Sequence, residues 1–443
     1  MKKIIISLFV AIISLSCNST DPEIKVPERE KSFIEAADVS CDEIWLKLKV
    51  GDIDLPAEGV IRIDGIKDKP VSVTTKDTIL YIDSLEVNRN YKFQVILLNQ
   101  GQTLISNEIT VKTLDTTSHN FTWQTFEFGE HSHSLLYDVA IIDENNIWAV
   151  GEIYVNDSLG NPNPKCYNAV HWDGTKWELK RISVLFRENN ITPPLDGTFV
   201  FSEKDIWFVG SLPIHGDGNN WIMHDLRTTL SPDLSLSKAW GLSSNNIYFV
   251  GNSGSIAHWN GSIWAKIESG TTVNLKSIIS SPDGKTMWAC GSNDDYFLAV
   301  FLEKTGNDWE KVFEGNPAER INDCEVGVIQ SVWTNSNQFV YLGSSSGLYR
   351  HTKKEALKLQ KVFSPSDAPY SYKGEEKNNI WVCGQNGLVG HYNGKNYYEI
   401  SGLKKARNTY YGIDIKGKTT CVVGKIYNNA INSKAIIQII KQQ

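Results

Sequence analysis

The chain has 443 residues, with 44 basic and 51 acidic side chains and a formal net charge of −7. That length leaves room for two or three domains. The mildly acidic balance argues against nucleic acid as a partner, because that binding depends on basic side chains displacing counterions from phosphates. Seven cysteines without a C-x-x-C spacing give no sign of a disulfide framework.

In the first sixteen residues, MKKIIISLFVAIISLS, two lysines precede an apolar run too short for an ordinary spanning helix. The run ends at Leu15-Ser16-Cys17. An apolar residue shortly before a small residue and a cysteine resembles the lipobox of bacterial lipoproteins. The resemblance implies cleavage after Ser16, a diacylglycerol on the Cys17 thiol and a palmitate-type acyl chain on its new amine. Such chains anchor through roughly 0.8 kcal/mol per buried methylene. An ordinary secretory signal with a chance cysteine is the plain alternative. Asn18 follows where an enterobacterial inner-membrane retention signal would have Asp, so the expected place is the bacterial cell envelope, at the outer membrane. Removing Lys2 and Lys3 leaves 42 − 51 = −9. Residues 17–35 then form a polar tether with prolines at 22 and 27.

From 36 to 114 the chain alternates. DEIWLKLKV puts Ile44, Leu46, Leu48 and Val50 on one strand face, and NYKFQVILL does the same with Tyr91, Phe93, Val95 and Leu97. Leu85 stands six residues before Tyr91. This spacing resembles fibronectin type III modules, in which the tyrosine hydroxyl bonds to backbone upstream. SNEITVKTL (106–114) resembles the closing strand of that family. Val87 stands where the family has proline, and Trp45 meets the usual strand-B tryptophan pattern only loosely. Nothing in this module marks a ligand site.

From residue 121 to the end, one short pattern recurs. NNIWAVG ends at Gly151, KDIWFVG at Gly210, NNIYFVG at Gly251, KTMWACG at Gly291, QFVYLG at Gly343, NNIWVCG at Gly384 and TTCVVG at Gly424. A period near 40 residues fits one four-stranded propeller blade. Each copy reads as strand, polar turn, the glycine-ended strand, a loop, a third strand such as AVHW (169–172), a DG or NG hairpin, and a fourth strand with tryptophan. The last copy has no fourth strand after AIIQIIK (435–441), while FTWQTFEFG (121–129) has the form of one. The expected fold is therefore all-β: an Ig-like, fibronectin type III sandwich followed by a seven-bladed β-propeller over 121–443, closed by its N-terminal strand. The repeats resemble bacterial propellers with a W-x-x-G…G-x-I…H-[WY]-[DN]-G…W grammar. That resemblance specifies fold and leaves function open.

Several motifs invite chemistry and read better as structure. His171, His224, His258, His351 and His391 are expected at one place in the third strand of five blades. Equivalent positions lie around a ring, whereas zinc ligands converge on one ion, so packing against a neighbouring aromatic is the reading and no metal is expected. GSSSG (343–347) matches a hydrolase motif, but that motif needs a strand, a sharp turn and a helix. The HWDGTKW turn (171–177) lacks the residues of a sialidase Asp-box. Cys290, Cys383 and Cys421 read as small buried side chains. Asp294-Asp295 and GDGNN (216–220) are oxygen-rich loops without EF-hand spacing.

Function is expected to be non-enzymatic binding or scaffolding of a protein or glycan, without a cofactor. A glycan-active hydrolase or lyase on the same face is the alternative. The expected second-to-third-strand loops 152–168, 211–220 and 425–434 are long, with 129–135 and 183–197 beside them. They would raise one sector of the loop face. Tyr154, Arg187, Tyr427 and His133 are the expected ligand-binding residues, because aromatics supply contact area at low entropy cost.

Overall fold

The computed structural model describes residues 31–293, 298–317, 326–352, 359–428 and 432–443. Cys17, Asp294 and Asp295 lie outside them. Among the described residues the chain is built from strands, with one α-helical turn at Leu226–Thr229.

The N-terminal part has two antiparallel sheets. One holds Phe33–Val39, Ile44–Lys49 and Asp77–Ile82; the other holds Ala57–Ile63, Lys67–Val73, Asn90–Asn99, Gln102–Ile105 and Ile109–Lys112. The first strand begins at Phe33, three residues before the expected boundary at 36. The period-2 reading holds: Ile44, Leu46, Leu48 and Val50 join Tyr91, Phe93, Val95 and Leu97 in one core between the sheets. The Tyr91 hydroxyl accepts the Glu86 N–H at 2.8 Å. Trp45 is out of phase with that face and leaves the module altogether. It packs into the next domain's core, 5.2 Å from the Phe339 ring.

Among the described residues of 121–443 there are seven four-stranded antiparallel sheets, six of them in chain order, and a separate hairpin of Val184–Phe186 with Asn189–Ile191. The first sheet is Leu135–Asp143, Asn146–Ile153, Tyr167–Trp172 and Trp177–Lys180. The last combines Asn408–Lys416, Thr419–Tyr427 and Ser433–Gln442 with the early strand Phe121–Phe128, which pairs along its whole length from Phe121↔Gln442 to Phe128↔Ala435. The innermost strands touch one another in a closed circuit, the last meeting the first. An upper face carries the second-to-third loops and the segments joining sheets. A lower face carries the first-to-second and third-to-fourth turns.

The recurring glycine has a steric cause. Beside it the innermost strand bulges, with Leu136 opposite Gly151 and Asp138 opposite Val150, so that Tyr137 is extra. The bulge presses backbone against the glycine: a Cβ on Gly151 would lie 2.3 Å from the Leu135 carbonyl oxygen and 2.7 Å from Leu136 Cα. Gly210, Gly251, Gly291, Gly384 and Gly424 meet the corresponding carbonyl at 1.8–2.2 Å. Gly343 instead faces the Ser331 and Tyr372 side chains.

One expected element is corrected. The second sheet turns at the single residue Ser211 (φ 65°), and its third strand is Leu212–Gly216. Residues 211–220 are therefore not a long upper loop, and 217–220 form a lower-face turn. His215, not His224, takes the third-strand histidine position. Its ring stacks on Trp207 at 4.1 Å and its Nε2 meets Asp205 Oδ1 at 2.9 Å. His171 on Trp148 with Asn146, and His258 on Tyr248 with Asn246, repeat this arrangement. His391 on Trp381 with Asn379 does the same, each of these four rings being held by the polar residue that opens the second strand, whereas His351 meets Phe301 edge-on and lies 3.7 Å from Glu303 of the fourth sheet. His224 accepts instead from Trp264 Nε1 at 3.3 Å.

Candidate ligand site at the mouth of the central channel

The bulges place side chains as well as glycines. Register breaks single out Tyr137, Ser237, Lys276, Gln330, Tyr370 and Tyr411 in six innermost strands. Asp196 holds the same place in the remaining one, donating its N–H to the Val209 carbonyl at 2.7 Å. All seven line a central channel of about 910 Å³. A bulge re-aims one side chain without ending the strand, so each sheet contributes one residue to a rim at the upper mouth.

The rim is asymmetric. Three neighbouring sheets supply an aromatic arc, with Tyr411 5.5 Å from Tyr370 and 6.4 Å from Tyr137. Lys425 lies 5.5 Å from the Tyr411 ring and 4.4 Å from that of Tyr427. Burial works against its charge, yet its pKa is raised by hydrogen bonding to Tyr427 and Tyr411. Burial pushes Tyr411 up to about 12, so it stays a neutral phenol. Burial, then Glu152 and Asp196, raise Tyr137. Asp196 is itself raised, first by burial, with Lys238 acting the other way. The opposite arc is polar, and Lys276 Nζ donates to Ser292 Oγ at 3.0 Å. Deeper in the channel, Asp138 pairs with Lys238 at 2.7 Å across the intervening sheet, whose Thr198 N–H also donates to Asp138 at 3.0 Å. Lys373 meets Asp414 at 3.5 Å. These two pairs tie inner strands together.

The expected binding residues divide. His133 and Tyr427 both pair with Ser433, the first through a parallel bridge and the second as its cross-strand neighbour. Tyr154 joins them through its N–H to Ser134 Oγ at 3.0 Å, and its hydroxyl donates to Glu152 at 3.1 Å. Burial, then Glu152, push Tyr154 up to about 12. Arg187 stands apart. It caps the hairpin 184–191, and its guanidinium is engaged by Asp225 at 2.9 Å and Thr228 at 3.1 Å. It links that hairpin to the helical turn, and its side chain stays more than half exposed. The seventh sheet's upper loop is shorter than expected, spanning 428–432, with 429–431 outside the described residues.

Sequence reading missed the bulge rim, although a signal exists. Each rim residue stands 13–15 positions before its repeat glycine, from Tyr411 before Gly424 to Lys276 before Gly291. Among the described residues no group of three or more His, Cys, Asp or Glu is placed to hold a metal ion. The cysteines at 41, 166, 290, 383 and 421 are free, and burial raises the thiols of Cys290, Cys383 and Cys421.

With the closed circuit of four-stranded sheets established, solved structures place the architecture. YCF48 bound to D1 peptide superposes with a TM-score of 0.52 at 15% identity, covering 74% of this chain and 98% of that one. YCF48 from Cyanidioschyzon merolae gives 0.51 at 15% identity, covering 72% and 98%. This chain carries a β-propeller. No protein-family model and no curated protein matches it. At such identity the likeness concerns the fold, and the rim chemistry stands on this chain's own residues.

Proposed function

We propose that this protein is a lipid-anchored envelope scaffold that binds a polypeptide segment at the upper mouth of a seven-bladed propeller. The seven four-stranded sheets are read as seven blades, and the N-terminal module as fibronectin type III-like, on its two-sheet layout and the Tyr91 contact. Cys17 is the lipidation site and the outer membrane the location.

The observation that carries the binding reading is the rim, where six bulges and Asp196 aim three tyrosines, an aspartate, a serine, a lysine and a glutamine at one opening. Tyrosines beside an ammonium suit a polypeptide, since each aromatic buries 150–250 Å² or so while its hydroxyl keeps a polar partner. YCF48, a propeller of similar fold, has been solved with a peptide bound, which supports a polypeptide over a glycan.

Photo-crosslinking tests this. A benzoylphenylalanine at position 411 or 370 is expected to trap a discrete polypeptide in cells. One at Ile263, an exposed lower-face residue, is expected to trap none. Adducts at 263 alone would overturn the site. A trapped glycan, or glycan turnover by the purified chain lost in Asp196→Asn, would replace scaffolding with the hydrolase or lyase alternative.

A further inference from the structure

The N-terminal module ends in a turn, residues 40–43, that sits on the lower face of the fifth and sixth sheets. Arg350 reaches out of the fifth sheet to Glu43, with Nη2 at 2.7 Å from Oε1, and also holds Gln360 at 2.6 Å. Lys377 Nζ meets Asp38 at 2.6 Å. Both pairs are buried, with side chains 6–13% exposed. Trp45 lies between them in the propeller core. The connecting segment is fastened too: Asn378 donates to the Asp115 carbonyl at 2.8 Å, and His119 Nδ1 meets His391 Nδ1 at 3.0 Å.

Neighbouring domains swing by default unless their interface is large and apolar. Here a swing would strip two buried cations of their counterions and bring Trp45 into water. The clamp rests on the close attraction of the two buried pairs together with the burial of the Trp45 ring.

The first strand enters the module at its other end. Phe33 pairs with Lys49, while Val39 pairs with Ile44 beside the docked turn. Six residues of strand at about 3.3 Å each separate the two ends by roughly 20 Å. The tether therefore joins the module at the end remote from the propeller, and the rim opens on the opposite side of the ring.

We propose that the module is a rigid pedestal, clamped beneath the propeller, that turns the channel mouth away from the membrane toward a soluble polypeptide rather than a membrane-embedded one. The orientation rests on the lipid-anchor reading above; the clamp does not.

Two measurements separate these parts. In the full mature chain in detergent, spin labels introduced bio-orthogonally at Lys49 and Ile263 should give one narrow distance distribution. Asp38→Asn with Glu43→Gln, close in shape to the originals, should broaden it at least twofold. A broad wild-type distribution would overturn the clamp whatever the variants do. On vesicles of phosphatidylethanolamine and phosphatidylglycerol carrying acceptor-labelled lipid, energy transfer should be stronger from a donor at Ile263 than from one at Leu159, on the first sheet's upper loop. Equal or reversed transfer overturns the orientation. A chain that does not float with the vesicles removes both the anchor and the orientation, and the distance measurement still decides the clamp.

Discussion

Replacing the repeat glycine of the third sheet, Gly251→Ala, tests the link between glycine and bulge. The new methyl carbon would lie 2.1 Å from the Ser235 carbonyl oxygen and 2.6 Å from Leu236 Cα. An ordinary carbon–oxygen contact is about 3.3 Å, so the overlap exceeds 1 Å. Both obstructing atoms are backbone, and no side-chain rotation relieves them. The innermost strand must withdraw, taking Ser237 out of the rim. Overpacking of this kind costs about 1–3 kcal/mol, and with fixed backbone on both sides we expect about 3 kcal/mol. Gly306→Ala is the control, since nothing lies within 4 Å of its added carbon and its φ is ordinary; it should change stability by less than about 1 kcal/mol. Urea unfolding followed by tryptophan fluorescence compares the two. Equal midpoints would refute the steric account of the repeat, and with it the reason the rim exists.

Deleting 121–128 removes a strand paired along its full length with Ser433–Gln442; the unfolding transition should broaden and shift down, and an unchanged transition would contradict closure by this strand. Burial, then His119, hold the His391 pKa down to about 3. The unfolded chain takes up that proton near pH 6.5 and the native state does not, so stability falls as pH drops through 6.5 and levels off only below about 3. Between pH 6.5 and 4.5 this amounts to about 2 kcal/mol, the unfolded imidazole being half protonated at the start of that range. His391→Gln should make that part of the pH–stability curve shallower, with His224, held down to about 4 by burial, still contributing, and an unaltered slope would count against it. Cys17→Ser should leave an unprocessed or soluble product; membrane partitioning after full signal cleavage would end the lipid-anchor reading.

Much of the fold was legible because its causes are local. The alternation around Ile44 and Phe93, the glycine-ended strands and the donated strand at 121–128 each leave a mark within a few residues. The second sheet was misread because its turn is one residue long. Ser211 at positive φ starts the third strand at once, so LPIHG looked like loop and WIMH like strand. His215-Gly216-Asp217-Gly218 carries the same H-x-[DN]-G spacing as His171-Trp172-Asp173-Gly174, and it was the better guide. The rim escaped because a bulge is a relation between two strands, whereas sequence periodicity describes one. Arg187 has a partner the sequence does not announce, Asp225, 38 residues on. Trp45 is the converse case: a tryptophan in a strand looks like module core, and the surface it belongs to is 294 residues away at Phe339. Removing 31–114 is therefore not neutral. It would leave Arg350 and Lys377 facing water without their acids and uncover the propeller surface on which Trp45 packs.

The bulge rim also bears on how such a protein changes over time. Each rim side chain sits on its own sheet, six of them at that sheet's own strand break, so the backbone that supports one is not shared with the others. The opening behaves as seven separately editable letters on a frame that does not register the edit. A lineage could redirect this protein to a new partner by single substitutions at 137, 196, 237, 276, 330, 370 or 411, with the ring folding as before.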